Sequence, residues 1–104
     1  MEEAKIKEAE EFRKFMNGPG MKNHAGFLTE KATSILRERF PKGTRLHLIH
    51  MNDAWGPVPD DSCGTVDFID DAGQIHMNWD ERRSLPIQPD MDLFTIEVLN
   101  GEAK

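Results

Sequence analysis

The sequence predicts a mainly β fold with N-terminal helices: a small five-stranded antiparallel barrel following a two-helix arm. Three observations lead there. Apolar residues recur at spacings of three and four up to Phe40, and at spacings of two beyond Pro41. Tight hairpin turns separate the middle runs beyond Pro41. Only one long interruption, Met51 to Cys63, breaks this β half.

The elements follow in order. Ile6, Ala9, Phe12, Phe15 and Met16 make one stripe of a helix over residues 2–16, and Asn17-Gly18-Pro19-Gly20 stops it. Leu28, Ala32, Ile35, Leu36 and Phe40 line a second helix over about residues 29–39. Thr29 is its candidate N-cap, with Asn23 as a competitor that would lengthen it. Pro41 ends it, because the residue before a proline avoids helical geometry.

Beyond Pro41, Arg45–His50 alternates with Leu46 and Leu48 inward. Gly64–Ile69 is a second strand with Val66 and Phe68 inward, and Asp70-Asp71-Ala72-Gly73 is a hairpin turn in which Gly73 takes positive φ. Gln74–Trp79 is a third strand with Ile75, Met77 and Trp79 inward. Ser84–Ile87 is a short fourth strand at an edge or rim, because Pro86 lacks a donor. Gln88–Asp92 reads as one helical turn, and Phe94, Ile96 and Val98 alternate on a fifth strand. Five short strands, a long first loop and a helical turn before the last strand describe an SH3-like barrel. The domain reading is therefore an arm over residues 1–39, a barrel over 40–99 and a disordered tail over 100–104.

Charge divides along the same line. The 104 residues carry a net charge of −6. Residues 1–39 hold eight Lys and Arg against seven Asp and Glu, whereas residues 40–104 hold five against twelve. An acidic barrel disfavours a phosphate backbone and suits a basic protein partner. Acidity also serves solubility alone. A single cysteine, Cys63, forms no disulfide within the chain, and no apolar run reaches signal-peptide or membrane-span length. The expected compartment is the cytoplasm.

Phe40-Pro41-Lys42-Gly43-Thr44-Arg45, Met51-Asn52-Asp53, Gly64-Thr65-Val66, Asp70-Asp71-x-Gly73-x-Ile75-His76 and Asn78-Trp79-Asp80 resemble a bacterial family of "domain of unknown function" modules. These are SH3-like barrels found in phages, plasmids and conjugative elements. The resemblance covers residues 40–96 and implies a mobile-element origin without implying an activity. Two features depart from that pattern. Glu81-Arg82-Arg83 replaces a short Gly-containing turn, and the lead before the barrel is longer, at 39 residues.

Candidate site residues are Asp53, Trp55, Asp70, Asp71, Asp80, Arg82 and Arg83. Asp70, Asp71 and Asp80 either bind a cation or contact a basic partner, or simply accept backbone N–H bonds within turns. Trp55, in the long first loop, is either an exposed anchor for an extended peptide or a lid over the barrel end. Arg82 and Arg83 clamp an anionic group or sit as solvated turn charges. His24, His47, His50, His76 and Cys63 lack metal-ligand spacing, so no metal and no cofactor are expected. Cys63 has no adjacent base to make it a nucleophile.

The expected function is a non-enzymatic protein-binding module of a phage, plasmid or mobile element. Its sharper form is an inhibitor of a host defence nuclease, of anti-CRISPR or anti-restriction type, acting through the acidic surface. The alternative is a small nucleic-acid-binding accessory protein using Arg45, Arg82, Arg83 and Trp55. The arm's apolar stripe also offers a face for a homodimer.

Overall fold

The computed structural model describes residues 3–53, 56–81 and 83–97. Two helices, α1 (Glu3–Met16) and α2 (Glu30–Arg39), precede four strands, β1 (Arg45–His50), β2 (Cys63–Ile69), β3 (Ile75–Trp79) and β4 (Leu93–Ile96). The strands form one antiparallel sheet in the order β3-β2-β1-β4.

Both helices end as their sequences dictate. The Asn17 and Gly18 amides bond back to Lys14 and Phe15 carbonyls, and the Asn17 side chain donates both to Arg13 O and to Asp90 O. Thr29 caps α2, accepting from the Ala32 amide at 3.2 Å while its hydroxyl donates to Gly20 O at 2.7 Å. Asn23 caps no helix: its side chain accepts from the Ala25 and Phe27 amides in the preceding loop.

The helices and the sheet share one core. Ala32 and Leu36 of α2 and Met16 of α1 are buried with Leu46, Leu48, Val66, Ile75, Met77 and Trp79. Phe12 of α1 meets Phe40 and Phe94 edge-on, with ring centroids 5.6 and 5.7 Å away, which seats α1 against β4.

Three strand expectations are corrected. Among the described residues the sheet has four strands, and Ser84–Ile87 is not one of them. Only Ile87 pairs, exchanging two 2.9 Å bonds with Ile75 on the free edge of β3. Pro86 has no N–H to extend that ladder, and the Leu85 carbonyl is taken by the Trp79 indole N–H at 2.9 Å. Phe68 does not point inward and is 51% exposed. A register shift between Val66 and Phe68 inserts one extra residue, which turns Phe68 outward and Ile69 into the core. Ile96 lies opposite Leu46 yet is 50% exposed, at the lip of a groove between α1 and β4. Val98 and the tail over 100–104 lie outside the described residues.

The β2–β3 pair leaves no room beside Gly64. A Cβ there would lie 2.9 Å from Asn78 O and 3.0 Å from Trp79 Cα, both backbone atoms of β3. Gly64→Ala is expected to lower stability by about 1–3 kcal/mol, the usual effect of overpacking. A denaturant titration checks this, and an unchanged midpoint would contradict it.

Candidate functional site

The expected site residues do not converge on one place. Trp55 and Arg82 lie outside the described residues. Asp71 is exposed in the β2–β3 hairpin and pairs with Arg37 of α2 at 3.0 Å. Asp70 builds that hairpin: one carboxylate oxygen accepts from the Ala72 and Gln74 amides, and the other lies 2.8 Å from His76 Nε2. Burial works to raise the Asp70 carboxyl, but the bonds from His76, Gln74 and Ala72 outweigh it and hold it below the usual range. Gly73, at φ 86°, closes the turn as its sequence predicts.

Asp53 belongs to a mixed groove of about 330 Å³ with Met51, Asn52, Gln74, His76, Leu85 and Gln88 along its walls. His76 stacks flat on Phe68, with ring centroids 4.3 Å apart. The outward turn of Phe68 thus backs one of the groove's side chains, His76, with a flat ring.

Asp80 and Arg83 are brought together in a second groove, of about 520 Å³, where the start of β2 meets the ends of β3 and β4. Its described lining also includes Asp60, Asp61, Glu81 and Glu97. Backbone bonds put these carboxylates there. The Asp61 amide donates to Leu48 O, the Asp80 amide to Cys63 O and the Glu97 amide to Arg45 O, at 2.8 to 3.0 Å. Asp61 makes its bond from a left-handed backbone at φ 68°. Two histidines of β1 hold the loop end: His47 Nε2 lies 3.0 Å from Asp61 and His50 Nδ1 lies 2.9 Å from Asp60. A carboxylate only accepts, so each facing ring nitrogen carries the proton.

Beneath the groove, Arg45 ties the strands together. Its guanidinium makes two 2.7 Å bonds to Asp80, a 2.7 Å bond to Glu97 and a 3.1 Å bond to Thr65 Oγ1. The bonds to Asp80 and Glu97 hold Arg45 firmly in its charged form, and Arg45 holds the Asp80 carboxyl below its ordinary range. Burial, followed by hydrogen bonding to Glu97, pushes the Cys63 thiol up to about 11. A thiol held protonated at neutral pH is a poor nucleophile. Among the described residues, no group of three or more His, Cys, Asp and Glu side chains is placed to hold a metal ion.

Five carboxylates thus surround one groove, with Arg83 as the cation on its described lining. Sequence reading singled out Asp80 and Arg83 but missed Asp60, Asp61, Glu81 and Glu97 as a set. The acids at 60 and 61 were visible as a run in the long loop. Their approach to Glu97, at the far end of the chain, depends on the pairing of β1 with both β2 and β4.

The fold and its surface define a small β-rich domain with two N-terminal helices and several surface grooves. The chain belongs to the family described as Domain of unknown function (DUF4314), whose model matches residues 29–97. The match opens on Thr29, the N-cap of α2, so α1 lies outside it. No curated protein and no solved structure matches the chain. No helix among the described residues is long and apolar enough to cross a membrane.

Proposed function

We propose that the chain is a non-enzymatic protein-binding module of a phage, plasmid or other mobile element, and that it holds a basic segment of its partner in the acidic groove. The observation that carries this reading is the convergence of Asp60, Asp61, Asp80, Glu81 and Glu97 on one concave surface. Clustered carboxylates attract Lys and Arg over long range and suppress acidic competitors. Inhibition of a host defence nuclease is the finer form: the groove would compete with phosphates for a basic nucleic-acid channel. The accompanying fold reading is an SH3-like barrel. It is supported by the strand order, the Ile87 bridge on the outer edge of β3 and the turn over 88–92 that leads into β4. The nucleic-acid alternative is weakened because Arg45 is already engaged by two carboxylates.

An oligo-arginine peptide titrated calorimetrically at low salt tests the groove. The triple variant Asp60→Asn, Asp61→Asn, Glu81→Gln is expected to bind it about tenfold more weakly, at roughly 0.5 kcal/mol for each exposed pair. The comparison variant Glu10→Gln, Glu30→Gln, Glu38→Gln removes the same charge from the helices. Equal losses in the two variants would reduce the effect to net charge and sink the assignment. Tight binding of an oligonucleotide by the unaltered chain would replace it with the nucleic-acid reading.

A further inference from the structure

The structure points to a second surface, independent of the acidic groove: we propose that the outer face of α1 is a contact between two copies of this chain. Phe15 projects from this face at 45% exposure although it belongs to the helix's apolar stripe. It stands between two hollows. One, of about 290 Å³, lies between α1 and β4 and is walled by Phe12, Phe40, Phe94 and Ile96. The other, of about 490 Å³, runs past Lys14, Asn17, Gly18 and Pro19. Phe15 and Glu11 line both hollows, so the surface carries an aromatic ridge beside the cavities that would receive one. A patch that holds both knob and hole complements itself about a two-fold axis.

Charge selects a second copy over a basic or acidic partner. Glu11 and Lys14 lie one helical turn apart on the same flank of α1, and neither has an ion-pair partner among the described residues. Antiparallel docking of two α1 helices about an axis between these residues sets Glu11 against Lys14 of the other copy, twice. The face also sits on the half of the chain where Lys and Arg nearly balance Asp and Glu, so contact there avoids the repulsion of the acidic half. α1 lies outside the family match, so this contact would belong to this chain rather than to the shared domain.

Sedimentation of the full chain from micromolar to millimolar concentration tests the proposal. The expected result is a dimer. Phe15→Glu should raise its dissociation constant by at least about 30-fold, as for an interface hot spot. Phe68→Glu, on another exposed ring, should leave it unchanged. Glu11→Lys and Lys14→Glu should each weaken self-association, and mixing the two variants should restore a heterodimer through two opposite-charge pairs. Circular dichroism confirms that the variants are folded. A chain that is monomeric throughout overturns the proposal, as does a dimer indifferent to Phe15→Glu or a mixture without rescue. A monomer that dimerises only after removal of residues 98–104 also overturns it, because the groove's occupant is then the chain's own end.

Discussion

Phe94→Ala is expected to destabilise the fold by about 3–5 kcal/mol, the range for truncating a buried phenylalanine. Phe94 is 3% exposed, faces inward from β4 opposite Leu48, and packs against Phe12 and Phe40 with centroids 5.7 and 5.5 Å away. Removing the ring leaves a cavity bordered by two other rings and weakens the seat of α1, which rests on Phe12. Arg39 lies 4.8 Å from the Phe12 centroid, a cation–π contact that holds the helix from α2 but is worth only about 0.5–1 kcal/mol at such a site. The loss should therefore be uneven. Amide exchange in α1 should accelerate more than in β2 and β3, whose pairing does not involve Phe94. Denaturant unfolding with exchange mass spectrometry checks both parts. A loss below about 1.5 kcal/mol with α1 still protected would mean that the helix is held elsewhere. The same experiment bears on self-association, because the hollow beside Phe15 is walled by this ring.

The sequence made α2, β1 and the hairpin at Gly73 legible because each rests on a local signal. Thr29 three residues before Ala32 caps a helix, Arg45–His50 alternates strictly, and Gly73 takes the backbone that its turn requires. What it concealed is non-local or arises from a single extra residue. Asp67 and Phe68 look like ordinary alternation, and nothing local shows that β2 slips by one against β3 and exchanges Phe68 for Ile69 in the core. Ser84–Ile87 has strand composition, but its ladder stops at one bridge because Pro86 lacks a donor and Trp79 captures the Leu85 carbonyl.

The candidate site shows the same division. Individual acids were visible, but not which of them would share a groove. Asp70, Asp71 and Asp80 look equivalent in sequence, and the structure gives them three different partners: His76, Arg37 and Arg45. Glu97 drew no attention because it flanks a short last strand. It becomes part of the groove through the pairing of β4 with β1, and through Arg45, which bonds to it and to Asp80 together.

Asp92 went unmarked as a site residue, yet its replacement should rank beside Phe94→Ala. It is 3% exposed, and its two oxygens accept separate 2.8 Å bonds from the Asn52 and Gln88 amides. The side chain therefore fastens the start of the long loop to the turn before β4, where the groove beside Asp53 lies. Asp92→Ala leaves two backbone donors without an acceptor, at about 1–3 kcal/mol each, so the expected loss is about 2–6 kcal/mol. Asp92→Asn keeps one acceptor and turns an amide N–H toward the other donor, so it should fall between the variant and the unaltered chain. The two differ in pH dependence. Burial raises the Asp92 carboxyl above its ordinary range despite the bonds from Gln88 and Asn52. With the folded pKa above the unfolded one, the native state binds the extra proton between them, so this group's contribution to stability falls as pH rises through that window. Asparagine does not titrate there. The deficit of Asp92→Asn should be widest in acid and narrow as pH rises past the folded pKa. Asp70 and Asp80, whose carboxyls are depressed, act in the opposite sense, but they are common to both proteins and cancel in the difference. Urea unfolding of the pair at a series of pH values measures that difference directly. A deficit that widens with rising pH would mean that the two amide bonds, not burial, dominate the charge on Asp92.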